Sequence, residues 1–354
     1  MDLALAVSSA AFITLLVLWF LKPSSNLPPG PWGLPLIGHL HLLAGMPLHR
    51  AFQRIAKKYG PITSLRLGMI PTVVISNQEL AKEIFTTHDL NFASRPYLVS
   101  GDHFSYNFSG PATSPYGELW RNTRKLCTIE LFTAKCIDSF SWVRRDELSR
   151  TLEGILKDHG DDEPVEVRKV ASVFSFNITS RILMSKRYFG DENVDAHAME
   201  FKELNDKVLE LVINPCISNL VPWYLRWLDW QIPRYKRIRT TLLVNAWAIG
   251  MDPAVWENPT QFHPERFLGS SIDVKGHNFE LLPFGSGRRK CPGMGMGLRS
   301  VELLVANLIH GFNWSFVPGT TPSMEDVFST TAQLKTPLQA MATPRLPKEV
   351  YIKV

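Results

Sequence analysis

The stretch PFGSGRRKCPG, Pro283 to Gly293, constrains this chain more than any other. Three glycines and two prolines in eleven residues set turns through which neither a helix nor a strand can run. The loop carries one cysteine, Cys291, directly after Arg288, Arg289 and Lys290. A free cysteine is commonly a small buried hydrophobe. Adjacent cations instead favour the thiolate, the form that ligates metals. Downstream, MGMGLRSVELLVANLIHGF places Val301, Leu304, Val305, Leu308 and Ile309 on one helical face ending at Gly311. Cys291 therefore precedes a helix N-terminus, whose unpaired amides and positive dipole end favour an anionic sulfur.

A thiolate with Arg289 two residues earlier, ready to meet an anion, suits a metal cofactor that carries carboxylates; haem is one. The rest of the chain supplies the context. Leu3 to Leu21 is an uncharged run of 19 residues followed by Lys22, long enough to span a bilayer. A cleaved signal peptide has a shorter apolar core and a basic flank, where this chain has Asp2. An anchor is therefore expected, with Lys22, Arg50, Arg54, Lys57 and Lys58 holding the remainder on the cytosolic side. Pro28, Pro29, Pro31 and Pro35 then read as a stiff spacer. Beyond it the periodicity predicts a helix over Pro47 to Tyr59 and a hairpin from ITSLRLG and PTVVIS. A further helix opens at Ser76, with Glu79 at capping-box spacing. Helices dominate from there to about residue 230. A net charge of +5 without a basic stripe argues against nucleic acid, and four cysteines without a CxxC pair argue against a disulfide framework or zinc.

Phe284, Gly287, Arg289, Cys291 and Gly293 stand in a pattern, F-x-x-G-x-R-x-C-x-G, that resembles the signature of the haem-thiolate monooxygenases, the cytochromes P-450. Five such matches at fixed spacing arise by chance at on the order of 10⁻⁴. PPGPWGLPLIG, SPYGELWRNTRK and DPAVWENPTQFHPERF are similar to the microsomal members of land plants. The resemblance implies a mainly α fold with small β-sheets (α+β) and haem b as cofactor. It implies Cys291 as the iron ligand, Arg289 on a propionate and Phe284 beside the porphyrin. Trp120 and Arg124 fit the family's W-x-x-x-R helix, and their spacing lets both bind one propionate. It further implies a small apolar substrate, electrons from NADPH through a reductase, and a cytosolic domain held on the endoplasmic reticulum membrane. The expected organisation is an anchor over 1–22, a hinge over 23–38, and the two parts of the haem domain over 39–239 and 240–354.

The chain also departs from the family. Arg266 in FHPERF resembles the residue that pairs with an upstream E-x-x-R helix, but the two E-x-x-R strings present, Glu118 to Arg121 and Glu147 to Arg150, lie far too early and read as accidental. No [AG]-G-x-[DE]-T string marks the central helix whose acid–alcohol pair delivers protons. A long segment is therefore expected to be missing between Arg239 and Thr240, leaving Arg266 as an uncompensated cation. Phe104, Tyr106, Phe108 and Phe328 read as a candidate aromatic substrate pocket or as ordinary core. Three functions stay open: a monooxygenase, an inactive shortened product that at most binds haem, and a membrane-tethered binding protein with a structural Cys291.

Overall fold

The computed structural model describes residues 26–96, 105–158, 163–190, 240–327 and 333–352, with positions 14, 98 and 101. The run Leu3 to Leu21, apart from Thr14, the segment 191–239 before the join, and Phe104 and Phe328 lie outside the described residues. Among the described residues no helix is long and apolar enough to cross a membrane.

The elements run in chain order. Helix α1 (Leu48–Tyr59) buries Ala51, Phe52 and Ile55 and stops at Gly60, whose φ of 106° breaks the helix. Strands β1 (Ile62–Leu67) and β2 (Ile70–Ile75) form the expected hairpin, with Ile62 opposite Ile75. Helix α2 (Gln78–Thr86) is capped by Asn77, one residue later than expected. Its side chain accepts from the Leu80 amide and donates to Glu79, taking the capping role assigned to Ser76. Then follow α3 (Glu118–Glu130), α4 (Ala134–Ser139), α5 (Ser141–Asp158), β3 (Val165–Glu166) and α6 (Val167–Met184). After the undescribed segment come β4 (Thr241–Val244), α7 (Ala246–Gly250), α8 (Met294–Gly311), β5 (Phe312–Phe316), β6 (Asp326–Val327), β7 (Gln333–Leu334), β8 (Gln339–Pro344) and α9 (Lys348–Ile352).

Two compact units result, each assembled from two distant stretches: 1–120 with 214–291, and 121–213 with 292–354. In the first, β4 lies parallel to β2, pairing Val74 with Leu243, so the sheet order is β1-β2-β4. Asn245 caps α7 by accepting from Ala248 and donates to the His49 carbonyl of α1, which fixes the late stretch to the early one. The proline-rich segment is docked on β1 at Pro29 and Pro31. The Ser64 amide of β1 donates to the Pro29 carbonyl, and buried His39 bonds the Pro31 carbonyl at 2.8 Å and the Arg66 amide at 2.7 Å.

In the second unit β8 lies between β3 and β5. Leu148 and Leu152 of α5, Phe174 and Ile178 of α6, Leu304 and Leu308 of α8, and Phe312 and Tyr351 form its core. Only part of the face expected on α8 is buried. Leu304 and Leu308 point inward with Ser300, whereas Val301, Val305 and Ile309 are 58%, 47% and 61% exposed. The two stripes stand one residue apart, about 100° round the helix, so a single packing surface covers one and leaves the other.

Glu147, 1% exposed, is the charged centre of this unit. Its carboxylate accepts from Arg181 at 2.5 Å, Arg187 at 2.9 Å and Asn177 at 3.1 Å, joining α5, α6 and the segment after α6. Arg150, three residues on, bonds Asp146 instead, so Glu147 and Arg150 do not form an E-x-x-R pair. Burial opposes the charge on Asp146, but hydrogen bonds from Arg181 and Arg150 outweigh it and hold its carboxyl below the usual range. The stability this contributes is present above the unfolded value near 4 and is lost as pH falls through the lower folded value. Glu147→Ala removes the buried carboxylate that Arg181, Arg187 and Asn177 share, while Arg181 keeps Asp146, and is expected to cost about 3 kcal/mol. Arg150→Ala at the surface is expected to cost under about 1 kcal/mol. Urea unfolding followed by circular dichroism compares the two, and equal midpoints would contradict the central role of Glu147.

Candidate functional site

The cysteine loop rests on a small apolar plug. Phe279 and Leu282 bury against Ala81 and Ile249, and Phe85 stacks on Phe279 with ring centroids 6.5 Å apart. From there the backbone closes on itself. Buried Ser286 donates to the Gly276 carbonyl at 2.6 Å, Lys290 N donates to Gly287 O, and Cys291 N donates to Phe284 O at 2.9 Å. Gly285 and Gly287 sit at φ of 68° and 64°, where L side chains are strained. Gly287 also packs so tightly on α2 that a Cβ would stand 3.0 Å from the Phe85 carbonyl oxygen. Cys291 is exposed at the end of this closed loop, three residues before α8 begins.

Arg289 is fixed on three sides. Its guanidinium lies 4.4 Å from the centroid of the buried Trp120 ring, a cation–π contact, while Nε donates to Ala93 O and Nη2 to Ser114 O, both at 2.6 Å. The Trp120 indole N–H donates to Pro111 O at 3.1 Å, so that donor is already engaged by the backbone. Arg288 pairs with Asp89 at 2.8 Å and lies over Tyr116. Beside these acceptors the hydroxyls of Thr113 and Ser114 are buried without a partner. The structure thus brings Phe284, Gly287, Arg289, Cys291 and Trp120 into one unit. Arg124 is half-buried one turn after Trp120 on α3, and Gly293 lies against the Phe132 ring; both residues belong to the second unit.

Other expected residues fall elsewhere. Arg266 is no uncompensated cation: its guanidinium donates to the carbonyls of Glu257, Asn258, Gln261 and His263, closing its own turn. Tyr106 is 87% exposed, and Phe108 lies half-buried against Gly101. The carbonyls of Ala93, Pro111 and Ser114 carry no sequence signal, because backbone acceptors come to Arg289 only through folding, as the Asp89 carboxylate comes to Arg288.

The donor set tests the cofactor. Among the described residues no group of three or more His, Cys, Asp or Glu side chains could hold a metal ion. No such group among the described residues therefore completes a metal site at Cys291. An exposed sulfur, glycines that keep side chains off the loop, and two unpartnered hydroxyls next to an arginine fit a flat, carboxylate-bearing metal macrocycle.

The cytochrome P450 family model matches residues 28–242 and 239–341. The chain belongs to the cytochrome P450 family. A cytochrome P450 of Panax ginseng is 30% identical over 454 aligned positions, which cover 87% of this chain and 90% of that protein. A flavonoid 3'-monooxygenase of Petunia hybrida is 27% identical, covering 92% of this chain and 94% of its own length, and a premnaspirodiene oxygenase of Hyoscyamus muticus is 28% identical over the same shares. The fold is that of a zebra fish cytochrome P450 solved with abiraterone, with a TM-score of 0.64 at 19% identity, covering 85% of this chain and 100% of that one. Membership makes this chain one of a haem-iron monooxygenase family.

The loop predicts a contrast between its glycines. Gly285 has open space around its Cβ position, so Gly285→Ala meets only the left-handed backbone penalty of about 1–2 kcal/mol. Gly287→Ala adds a clash with the Phe85 carbonyl and is expected to destabilise by more. Thermal unfolding of both variants checks the order, and the reverse order would contradict the packing of the loop on α2.

Proposed function

We propose that this chain derives from a plant microsomal haem-thiolate monooxygenase and would hold haem iron through Cys291. The observation that carries the reading is an exposed cysteine on a closed loop whose Arg289 is locked beside Trp120. Cys291 would hold the iron through its sulfur, Arg289 and Arg124 would meet the propionates, and Phe284 would pack beside the ring. Trp120 would act by bracing Arg289. Bound haem supplies iron at which O2 is activated for insertion of one oxygen atom into a substrate. Electrons would come from NADPH through a membrane reductase, with Leu3 to Leu21 anchoring the chain in the endoplasmic reticulum membrane and the remainder cytosolic. The names of the Petunia and Hyoscyamus relatives favour a small apolar plant metabolite as substrate.

A specific observation favours a second reading, that the chain as it stands is catalytically silent. About 308 residues, 87% of 354, fall within the 454 positions aligned to the ginseng protein, so roughly 146 positions have no counterpart here. The two matches to the family model meet at 239–242, where the missing segment was expected. The loss would include the central helix and the E-x-x-R helix. Val301, Val305 and Ile309, exposed at one-turn spacing on α8, are what a helix retains when its packing partner is gone. Nothing in the remaining sequence resembles the acid–alcohol pair.

The two parts of the reading separate by experiment. Haem-loaded protein, reduced under carbon monoxide, is expected to show the red-shifted Soret band of thiolate ligation, and Cys291→Ser to lose it. An unchanged band in that variant would sink the ligand assignment. Arg289→Ala is expected to weaken haem retention about tenfold without moving the band. With reductase and NADPH the chain is expected to give no substrate-dependent oxidation, while a form carrying a relative's segment between Arg239 and Thr240 regains it. Turnover by the short chain, lost on Cys291→Ala, would overturn the silent reading.

A further inference from the structure

Strand β5 (Phe312–Phe316) ends the sheet of the second unit, with β8 on one side and, among the described residues, no strand on the other. The ladder decides which way its backbone points. The Arg345 amide donates to the Gly311 carbonyl at 2.8 Å, and hydrogen-bonded pairs alternate along an antiparallel ladder, so Asn313 and Ser315 turn their amides and carbonyls toward Thr343 and Met341 of β8. Pro344, which has no N–H, stands opposite Phe312 and fits this phase. The amides and carbonyls of Trp314 and Phe316 therefore point to the open edge, where no described backbone group meets them. Edges of this kind are commonly blunted by lysine, proline or a bulge. Here no charged residue occurs from Gly311 to Met324, and Pro318 comes only after the strand has ended. Asn313 and Ser315 are exposed, and Phe316 is 62% exposed.

We infer that this edge pairs with the same edge of a second copy of the chain, giving a dimer with one antiparallel sheet running through both copies. The order FNWSF carries the choice of partner. Paired with itself in the opposite direction about Trp314, it sets Trp314 opposite Trp314, Phe312 opposite Phe316, and Asn313 opposite Ser315. Aromatic rings thus meet aromatic rings on one face, and an amide meets a hydroxyl on the other, the kinds of cross-strand pair that stabilise sheets. A foreign strand would have to bring that pattern, whereas a second copy already carries it. Each Trp314 amide would donate to the Trp314 carbonyl of the other copy, and each Phe316 amide to the Phe312 carbonyl of the other copy. The Phe312 amide is not called on, in keeping with its bond to the Leu308 carbonyl at the end of α8. Two-fold pairing consumes both edges, so the assembly closes at two copies. A contact of one strand pair is small, which makes the dimer weak and concentration-dependent. The inference goes beyond the haem and turnover readings and needs neither of them.

The test uses the full chain in detergent micelles over about 1 to 100 μM, with mass read by sedimentation velocity. A dimer is expected at the upper end, and Phe316→Lys, which sets a lysine on the edge, is expected to weaken it about tenfold. Register is read by mixing two variants, Asn313→Cys and Ser315→Cys, under copper–phenanthroline oxidation. Linked peptides are identified by mass spectrometry so that native cysteines do not interfere. The mixture is expected to join position 313 to position 315, because facing residues of a pair without hydrogen bonds stand about 4.5 Å apart at Cα. Either variant alone is expected to cross-link about tenfold less, because like positions are then diagonal neighbours about 7–8 Å apart, too far for a disulfide. Both positions are exposed, so this measurement stands even where Phe316→Lys disturbs folding. A chain that stays monomeric at the highest concentration overturns the inference. A dimer that cross-links equally in the mixture and in the single variants, or that Phe316→Lys leaves unchanged, assigns the contact to another surface and overturns it as well.

Discussion

The site depends on one guanidinium. Arg289 leaves the cysteine loop and reaches into the segment between α2 and α3, where the carbonyls of Ala93 and Ser114 and the Trp120 ring hold it. Arg289 adds to the loop's own backbone bonds, the Ser286 bond to Gly276 and the Arg288–Asp89 pair. With it, the loop is joined to a stretch about 175 residues earlier in the chain. The side chain thus organises the protein around the loop that carries Cys291. Hydrogen bonds from a charged donor are stronger than neutral ones, which makes arginine suited to this task.

Each compact unit repeats the logic of joining distant stretches. In the first, β4 adds to β2 and Asn245 caps α7 while holding α1. In the second, Glu147 gathers Arg181, Arg187 and Asn177, and the Tyr351 hydroxyl donates to Gly311 while accepting from Arg345 and Leu346. These polar clusters are satisfied within their own units, so each unit retains a closed core. The stripe Val301, Val305, Ile309 on α8 remains the conspicuous apolar remainder.

Much of this was legible in the residues. The hairpin, α1 with its stop at Gly60, and a helix closing at Gly311 follow from periodicity and from glycine's conformational freedom, which are local properties. Cys291, Arg289 and Phe284 were identifiable because a short loop needs its residues in fixed order, and order is what a sequence records. Less legible were the choices that depend on neighbours. Asn77 rather than Ser76 caps α2 because its backbone is extended at the place where its side chain reaches the Leu80 amide. Arg266 satisfies itself on four carbonyls, and no pattern of residue types announces backbone acceptors.

By itself the sequence determined the family, the loop that carries the cysteine, and the place where the chain departs from its relatives, since each is written in consecutive residues. Only the tertiary structure decided which stripe of α8 is covered, that Arg289 is held by carbonyls and an indole, that Glu147 pairs with Arg181 and Arg187, and that the proline segment docks on β1 through His39. The physical reason is the same in each case. Burial, and the pairing of a charge, depend on which surface arrives opposite a residue, and that surface comes from parts of the chain too distant for local pattern to encode.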